Sequence, residues 1–125
     1  MHLQRQRYLL FEYFLLDPET ELKEKEIINT IWSTLTKLFG EYSAYKTGLW
    51  MIEFDPENNW GILRCNNITD KKLIASLAFI RQIKNIRVIF HTINASGTIK
   101  KIKKIQKHYF SKHRNKVDND NETSH

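Results

Sequence analysis

The order in which strand-like and helix-like patterns follow one another constrains the fold of this 125-residue chain more than any single motif. Runs rich in aromatic and β-branched residues are typical of strands, and apolar residues spaced three and four apart are typical of helices. The predicted strands are residues 7–16, 49–54, 60–66 and 87–94, and the predicted helices are residues 20–39 and 69–83. This order predicts an α+β fold in which two helices cover one face of a four-stranded antiparallel sheet.

Capping residues mark the ends of the two predicted helices. Thr20 is expected to cap the start of the first helix and Gly40 to close it, and Thr69 or Asn67 is expected to cap the second. Residues 40–47, which follow the first helix, are predicted to form a polar connection. The complete order of elements is that of a ferredoxin-like or RNA-recognition-motif-like two-layer sandwich.

A basic helix is predicted at the end of this order. Residues 99–116 carry eight Lys or Arg and no acid, whereas residues 1–98 are nearly neutral, with 12 basic and 11 acidic residues. The first and fourth strands are apolar on both faces, so the sheet needs a second cover. We expect this helix to pack on the second face of the sheet and to hold its lysines outward. Its apolar side consists of Ile99, Ile102, Ile105, Tyr109 and Phe110.

The length of the chain corresponds to one domain, which we place at residues 1–114 with the basic helix included. Residues 115–125 have too few apolar side chains to order themselves and are predicted to be a disordered tail. A single cysteine, Cys65, permits no intrachain disulfide. There is no signal-peptide pattern and no apolar run near the ~20 residues that cross a bilayer. These features predict a soluble protein of the cytoplasm.

The concentrated positive charge predicts an anionic partner, because a block of like charge repels itself unless an anion meets it. RNA, DNA and an acidic membrane surface are the candidates. A membrane is disfavoured because the apolar side of the helix lacks Trp and Leu and is needed by the sheet. Two other interpretations remain open, namely a merely solvated helix face and an adaptor whose basic helix binds an acidic protein.

Base recognition by the sheet itself is not expected from the sequence. An RNA-recognition motif carries stacking aromatics on its third strand, in the pattern K/R-G-F/Y-G/A-F-V-x-F/Y. Residues 60–67 read WGILRCNN and lack them. Recognition of structured RNA through its shape and phosphates remains possible.

Enzymatic sites are weakly indicated. The turn over residues 17–21 contains three carboxylates, which would repel a bound phosphate. Cys65 and His91 stand alone within predicted strands, where such residues are more often packed than reactive. The histidines and the cysteine show no metal-ligand spacing. The sequence therefore predicts no catalytic residue, no metal site and no cofactor bound by the protein.

Several motifs together resemble the family of archaeal ribonuclease P protein component 2, which is homologous to a eukaryotic subunit shared by ribonucleases P and MRP. The resemblance covers residues 7 to about 110. It rests on Gly40-Glu41-Tyr42, Gly48-Leu49-Trp50, Arg64-Cys65 and Ser96-Gly97-Thr98-Ile99-Lys100, within the longer segments 7–13, 27–55, 61–66 and 93–104.

The resemblance implies a protein subunit, not catalytic by itself, of the ribonucleoprotein that removes 5′ leaders from precursor tRNA. The RNA of such a particle hydrolyses the phosphodiester with bound magnesium, and the protein supports the catalytic domain of that RNA. Implied partners are ribonuclease P RNA, precursor tRNA in the complex and the TIM-barrel-like ribonuclease P protein component 3. A homodimer within a heterotetramer is also implied, and no membrane partner is.

The candidate site residues follow from the charge pattern and the aromatic content. The residues expected to contact the RNA backbone are Arg5, Arg7, Lys46, Arg64, Ser96, Lys100, Lys101, Lys103, Lys104 and Lys107. Ser96 enters this set because a helix N-terminus can receive a phosphate. Tyr45, Trp50 and Trp60 are expected at an interface with a protein partner, since exposed Trp and Tyr dominate such interfaces.

Overall fold

A computed structural model describes residues 5–123 of the chain, with side chains described over residues 5–111. Over these described residues the fold is α+β, with five strands and four helices. The strands are β1 (Gln6–Leu15), β2 (Trp50–Asp55), β3 (Trp60–Asn66), β4 (Gln82–Ile83) and β5 (Ile86–Ser96). The helices are α1 (Glu24–Phe39), α2 (Glu41–Lys46), α3 (Asp70–Phe79) and α4 (Ile99–Thr123).

The strands form one antiparallel sheet in the order β2-β3-β1-β5-β4. Strand β1 lies at the centre and pairs along most of its ten residues with β3 on one side and β5 on the other. Leu10 lies opposite Ile62, and Glu12 lies opposite both Trp60 and His91. Because side chains alternate between the faces of a strand, this register decides which residues share a face.

Helices α1 and α3 cover the first face of the sheet. Alternate residues of β1, namely Leu9, Phe11 and Tyr13, point to this side and belong to one buried cluster with Ile31 and Leu77 of the helices. Burying each such side chain contributes about 1.5 to 3 kcal/mol. The first face therefore holds the main hydrophobic core.

Close packing at the first face explains Gly61. A Cβ atom at this position would lie 2.7 Å from Cζ of Phe11, which is closer than Cβ atoms approach other carbons. The strand β3 must lack a side chain here because the ring of Phe11 occupies that space.

Helix α4 covers the second face, as the sequence predicted. Ile102 is fully buried in a cluster with Leu10, Ile62 and Trp60, and Ile105 and Phe110 pack against the same cluster. The apolar side of α4 is thus packed against the sheet.

The sheet has five strands, so the prediction of four was wrong. The second helix was predicted to continue to residue 83, but α3 ends at Phe79 and Ile80 is extended, with φ −70° and ψ 123°. Ile83 then pairs with Ile86 across a turn at Lys84, whose φ is 55°. Ile83 is buried in the strand as it would be in a helix, so its apolar character does not distinguish the two structures.

Two further differences concern the first helix and the segment after it. Thr20 does not cap α1; its hydroxyl donates to the carbonyl oxygen of Asp17 at 2.6 Å and closes a turn. Helix α1 begins at Glu24, where Glu26 Oε1 accepts the backbone N–H of Lys23 at 3.3 Å. The predicted polar connection contains the short helix α2, held by the buried Ala44. Gly40 ends α1 as predicted, with φ 92°.

Along the part of the chain that the structure describes, no helix is both long and apolar enough to cross a membrane. The predicted disordered tail, residues 115–125, overlaps the end of α4, whose backbone the structure describes to Thr123; the side chains of these residues lie outside the described part of the chain.

Candidate nucleic-acid interface

The outer side of α4 is a surface of exposed lysines, which we call the lysine face. It consists of Lys100, Lys101, Lys103, Lys104 and Lys107, all of them exposed. Within residues 5–111, the ion pairs join Arg7 to Asp70, Lys84 to Glu26 and His91 to Glu12, and none involves a lysine of α4. Among the described residues, these five positive charges of one helix thus have no carboxylate partner and can meet an external anion.

The start of α4 is fixed by hydroxyl groups. Thr98 Oγ1 accepts the backbone N–H of Lys101 at 3.3 Å, which is the N-cap hydrogen bond typical of Thr. Ser96 Oγ accepts the N–H of Thr98 at 3.3 Å, and Ser96 is only 4% exposed. Ser96 was predicted to contact RNA, but its side chain is buried and already engaged within the chain. The exposed side chains at this helix start are those of Thr98 and of the lysines that follow.

A polar cluster joins α4 to the sheet around Tyr109, well after the start of the helix. It is formed by Glu12, His91 and Tyr109. Tyr109 Oη donates to Glu12 Oε1 at 2.8 Å, and His91 Nδ1 lies 3.0 Å from the same oxygen. The Glu12 side chain is 14% exposed. Burial and the hydrogen bond to Glu12 raise the pKa of Tyr109 to about 12, so the phenol keeps its proton at neutral pH. The sequence analysis missed this cluster, although an acid inside the apolar strand β1 was a signal for it.

Trp60 lies beneath α4. Its ring centroid is 5.6 Å from that of Phe110, and the residue is 6% exposed. Trp60 was predicted at a partner interface, but it is a core residue of the second face. The other two predicted interface residues are exposed, Trp50 at 60% and Tyr45 at 78%.

The remaining predicted RNA contacts are dispersed. Arg7 points toward the α3 side of the sheet, where its Nε lies 3.6 Å from Oδ2 of Asp70. The Nζ atom of Lys46, in α2, lies 4.6 Å from the ring centroid of Tyr42. The backbone of Arg5 forms hydrogen bonds with Asn67.

Arg64 is the one of these four cations that lies on the same face of the sheet as α4, because it is two residues along β3 from Ile62. Its guanidinium lies 6.0 Å from the ring centroid of Trp50. The structure therefore places Arg64 on the face of the sheet that carries α4, and Arg7 on the opposite face.

The groups considered for catalysis are engaged in packing or pairing. Cys65 is buried, and burial together with the nearby Asp70 raises the pKa of its thiol to about 12. A thiol of that pKa is a poor nucleophile at neutral pH. His91 pairs with Glu12. Among the residues with described side chains, no three of the types His, Cys, Asp and Glu lie close enough together to hold a metal ion.

Comparisons with known proteins agree on one relationship. The sequence model of the Rpp14/Pop5 family matches residues 7–106. The chain is 30% identical over 100 residues to ribonuclease P protein component 2 of Pyrococcus furiosus, an alignment that covers 80% of this chain and 81% of that protein. It is 32% identical over 100 residues to the protein of the same name from Methanocaldococcus jannaschii, covering 80% of this chain and 71% of that protein.

A solved structure supports the fold. A chain in the cryo-EM structure of yeast ribonuclease MRP superimposes with a TM-score of 0.64, covering 91% of this chain and 98% of that chain. The two share 8% sequence identity, so the likeness concerns the fold alone.

Proposed function

The chain belongs to the Rpp14/Pop5 family, and from this premise we propose that it is a protein subunit of a ribonuclease P particle that binds RNA through its lysine face. Such a particle removes 5′ leaders from precursor tRNA. The reaction chemistry belongs to the RNA and its magnesium ions, and the protein supplies positive charge and a rigid support. The protein is not catalytic by itself.

The observation that carries the proposal is the division of α4 into two sides. Its apolar side is anchored by Ile102 and by the hydrogen bond of Tyr109, so the helix is held on the sheet. Its other side presents five lysines that no described carboxylate neutralises. RNA phosphates packed against this side would release counterions and would be screened from one another, which favours compact packing of RNA helices.

The same proposal extends to the assembly. We place this protein beside ribonuclease P protein component 3, in a particle of the cytoplasm that also engages precursor tRNA, with homodimerisation within a heterotetramer as its higher assembly. The exposed Tyr45 is the candidate anchor for a protein partner, since exposed aromatic residues of this kind form interface hot spots. The order β2-β3-β1-β5 further supports a ferredoxin-like sheet to which β4 adds an edge strand.

A charge-matched comparison tests the RNA contact. Replacing Lys100, Lys103 and Lys104 by Gln removes three charges from the lysine face, and the control replaces Lys23, Lys25 and Lys71, three exposed lysines of other elements. Binding to ribonuclease P RNA is measured between 50 and 300 mM salt, conditions chosen around those where phosphate contacts show strong salt dependence.

Each lysine–phosphate contact releases about 0.7 to 0.9 of a counterion, so the first variant is expected to flatten the log-log salt slope by about 2 to 3. The control is expected to change it by less than about 1. Equal slopes for both variants would remove α4 from the RNA interface. If RNA then bound only to a complex of this chain with component 3, the result would favour the alternative function, in which the protein is an adaptor whose basic helix binds an acidic protein.

A further inference from the structure

The second face of the sheet is only partly covered by α4. At the end of the sheet where β5 leads into α4, three residues lie side by side across neighbouring strands, Trp50 of β2, Arg64 of β3 and Tyr8 of β1. Trp50 pairs in register with Arg64, and Arg64 pairs with Tyr8. Residues directly opposite in antiparallel strands point to the same face. The three side chains therefore form one row, which we call the open row.

The open row differs from the covered part of the same face. Trp60, which α4 covers, is 6% exposed, whereas Trp50 is 60% exposed. The Arg64 guanidinium lies 6.0 Å from the centroid of the Trp50 ring and joins no described carboxylate in an ion pair. An exposed indole beside an uncompensated planar cation is a surface that stacks well and attracts negative charge.

The open row also leads to the lysine face. Tyr8 pairs in register with Ser96, three residues before α4 begins. Trp50 and Ser96 are thus three strand spacings apart, about 14 Å at about 4.8 Å per spacing. A single RNA strand of a few nucleotides spans that distance, with a base at Trp50 and phosphates at the first turn of α4.

We propose that Trp50, Arg64 and Tyr8 form a stacking site for an unpaired base of RNA. Trp50 supplies the ring on which the base lies, Arg64 meets the adjacent phosphate or the base plane, and Tyr8 extends the row toward α4. This inference rests on the proposed function, because it takes RNA as the polyanion. It gives Trp50 a different partner from the protein interface expected from the sequence, and it places the stacking aromatic on β2 instead of β3.

The experiment compares two RNA probes with the full chain. One probe is a single-stranded ten-nucleotide oligoadenylate, and the other is a blunt ten-base-pair RNA duplex that offers phosphates but no unpaired base. The variants are Trp50→Ala, Trp50→Phe and the control Phe79→Ala, which removes another exposed aromatic residue from α3. Affinities come from fluorescence anisotropy of labelled probes, and quenching of tryptophan emission reports stacking directly.

Trp50→Ala is expected to weaken oligoadenylate binding by about 5-fold to 100-fold and to leave duplex binding within about 2-fold. Trp50→Phe is expected to recover most of the loss, and Phe79→Ala to change neither affinity. The wild-type protein should show quenching by the oligoadenylate that Trp50→Phe lacks, because Trp60 is buried under α4 and Trp32 of α1 packs on the first face of the sheet.

The stacking site and the proposed function fail in different ways. If Trp50→Ala leaves oligoadenylate binding unchanged, or weakens both probes equally, the stacking site is wrong while the lysine face stands. If the wild-type chain binds the duplex but not the oligoadenylate, the stacking site is likewise wrong. If the wild-type chain binds neither probe nor ribonuclease P RNA, both proposals are wrong.

Discussion

The two faces of the sheet are packed in different ways. Among the residues with described side chains, the first face holds 17 buried residues in one cluster with α1 and α3, whereas the second face holds four beneath α4. Glu12 lies among the apolar residues of the second face and joins α4 to the sheet by a polar contact. The large core maintains the fold, and the small one holds a functional helix in place. Changes to the two faces should therefore have different consequences.

The largest expected effect comes from the first face. Ile31→Ala removes three carbon atoms from a fully buried position of α1 and leaves a cavity. The free energy of unfolding is expected to fall by about 2 to 5 kcal/mol, measured by urea denaturation. Amide hydrogen exchange should accelerate in all elements together, because this core supports the whole domain. Acceleration confined to α1 would contradict this assignment of the main core.

The matched change at the second face is Ile102→Ala, which also empties a fully buried position. We expect a loss of about 2 kcal/mol, at the low end for such a substitution, since α4 can shift on its small contact area. Exchange of α4 should then be fast, through opening of this helix alone, while α1 and β1, which exchange only when the domain unfolds, should stay much better protected than α4. Salt-dependent RNA binding should weaken as well, because the lysine face is then no longer held in one orientation. Equal protection of α4, α1 and β1 in this variant would mean that the two faces form a single cooperative core.

The smallest effect is expected from Tyr109→Phe, which removes the hydroxyl that donates to Glu12. A hydrogen bond of this kind contributes about 0.5 to 3 kcal/mol, and partial exposure to water favours the lower end. The unfolding free energies of the variant and the wild type are compared at neutral pH. A variant as stable as the wild type would show that this bond does not hold α4.

The unfolding free energies of the wild type and Tyr109→Phe are also expected to depend differently on pH. The pKa of Tyr109 is raised from 10.0 to about 12, so the folded state holds the phenolic proton more tightly than the unfolded state. The stabilisation is complete below pH 10 and is lost as the pH rises toward 12. The difference in stability between wild type and Tyr109→Phe should therefore shrink between pH 10 and 12. A constant difference over that range would place the phenol outside the contact with Glu12.

Local sequence patterns predicted most of the elements. The family inferred from motifs such as Gly48-Leu49-Trp50 is confirmed by the match over residues 7–106. The apolar stripe of α4 and its covering of the second face are also as predicted. These features follow from residue spacing along a short segment, because each period fits one kind of backbone. The two-residue strand β4 was missed since so short an element has no period to detect.

The tertiary structure decided on which face of the sheet each side chain lies and which residues it contacts. The sequence around Trp50 and Trp60 does not distinguish the two residues. In the structure, α4 packs on Trp60 and buries it, and it leaves Trp50 exposed. Glu12 accepts a hydrogen bond from Tyr109, a residue 97 positions away in the chain. The sequence by itself determined most of the elements, the family and the concentrated charge, all of which are local properties. Only the long-range register of β1 with its neighbours, and the placement of α4 across them, decided which residues are available to a partner.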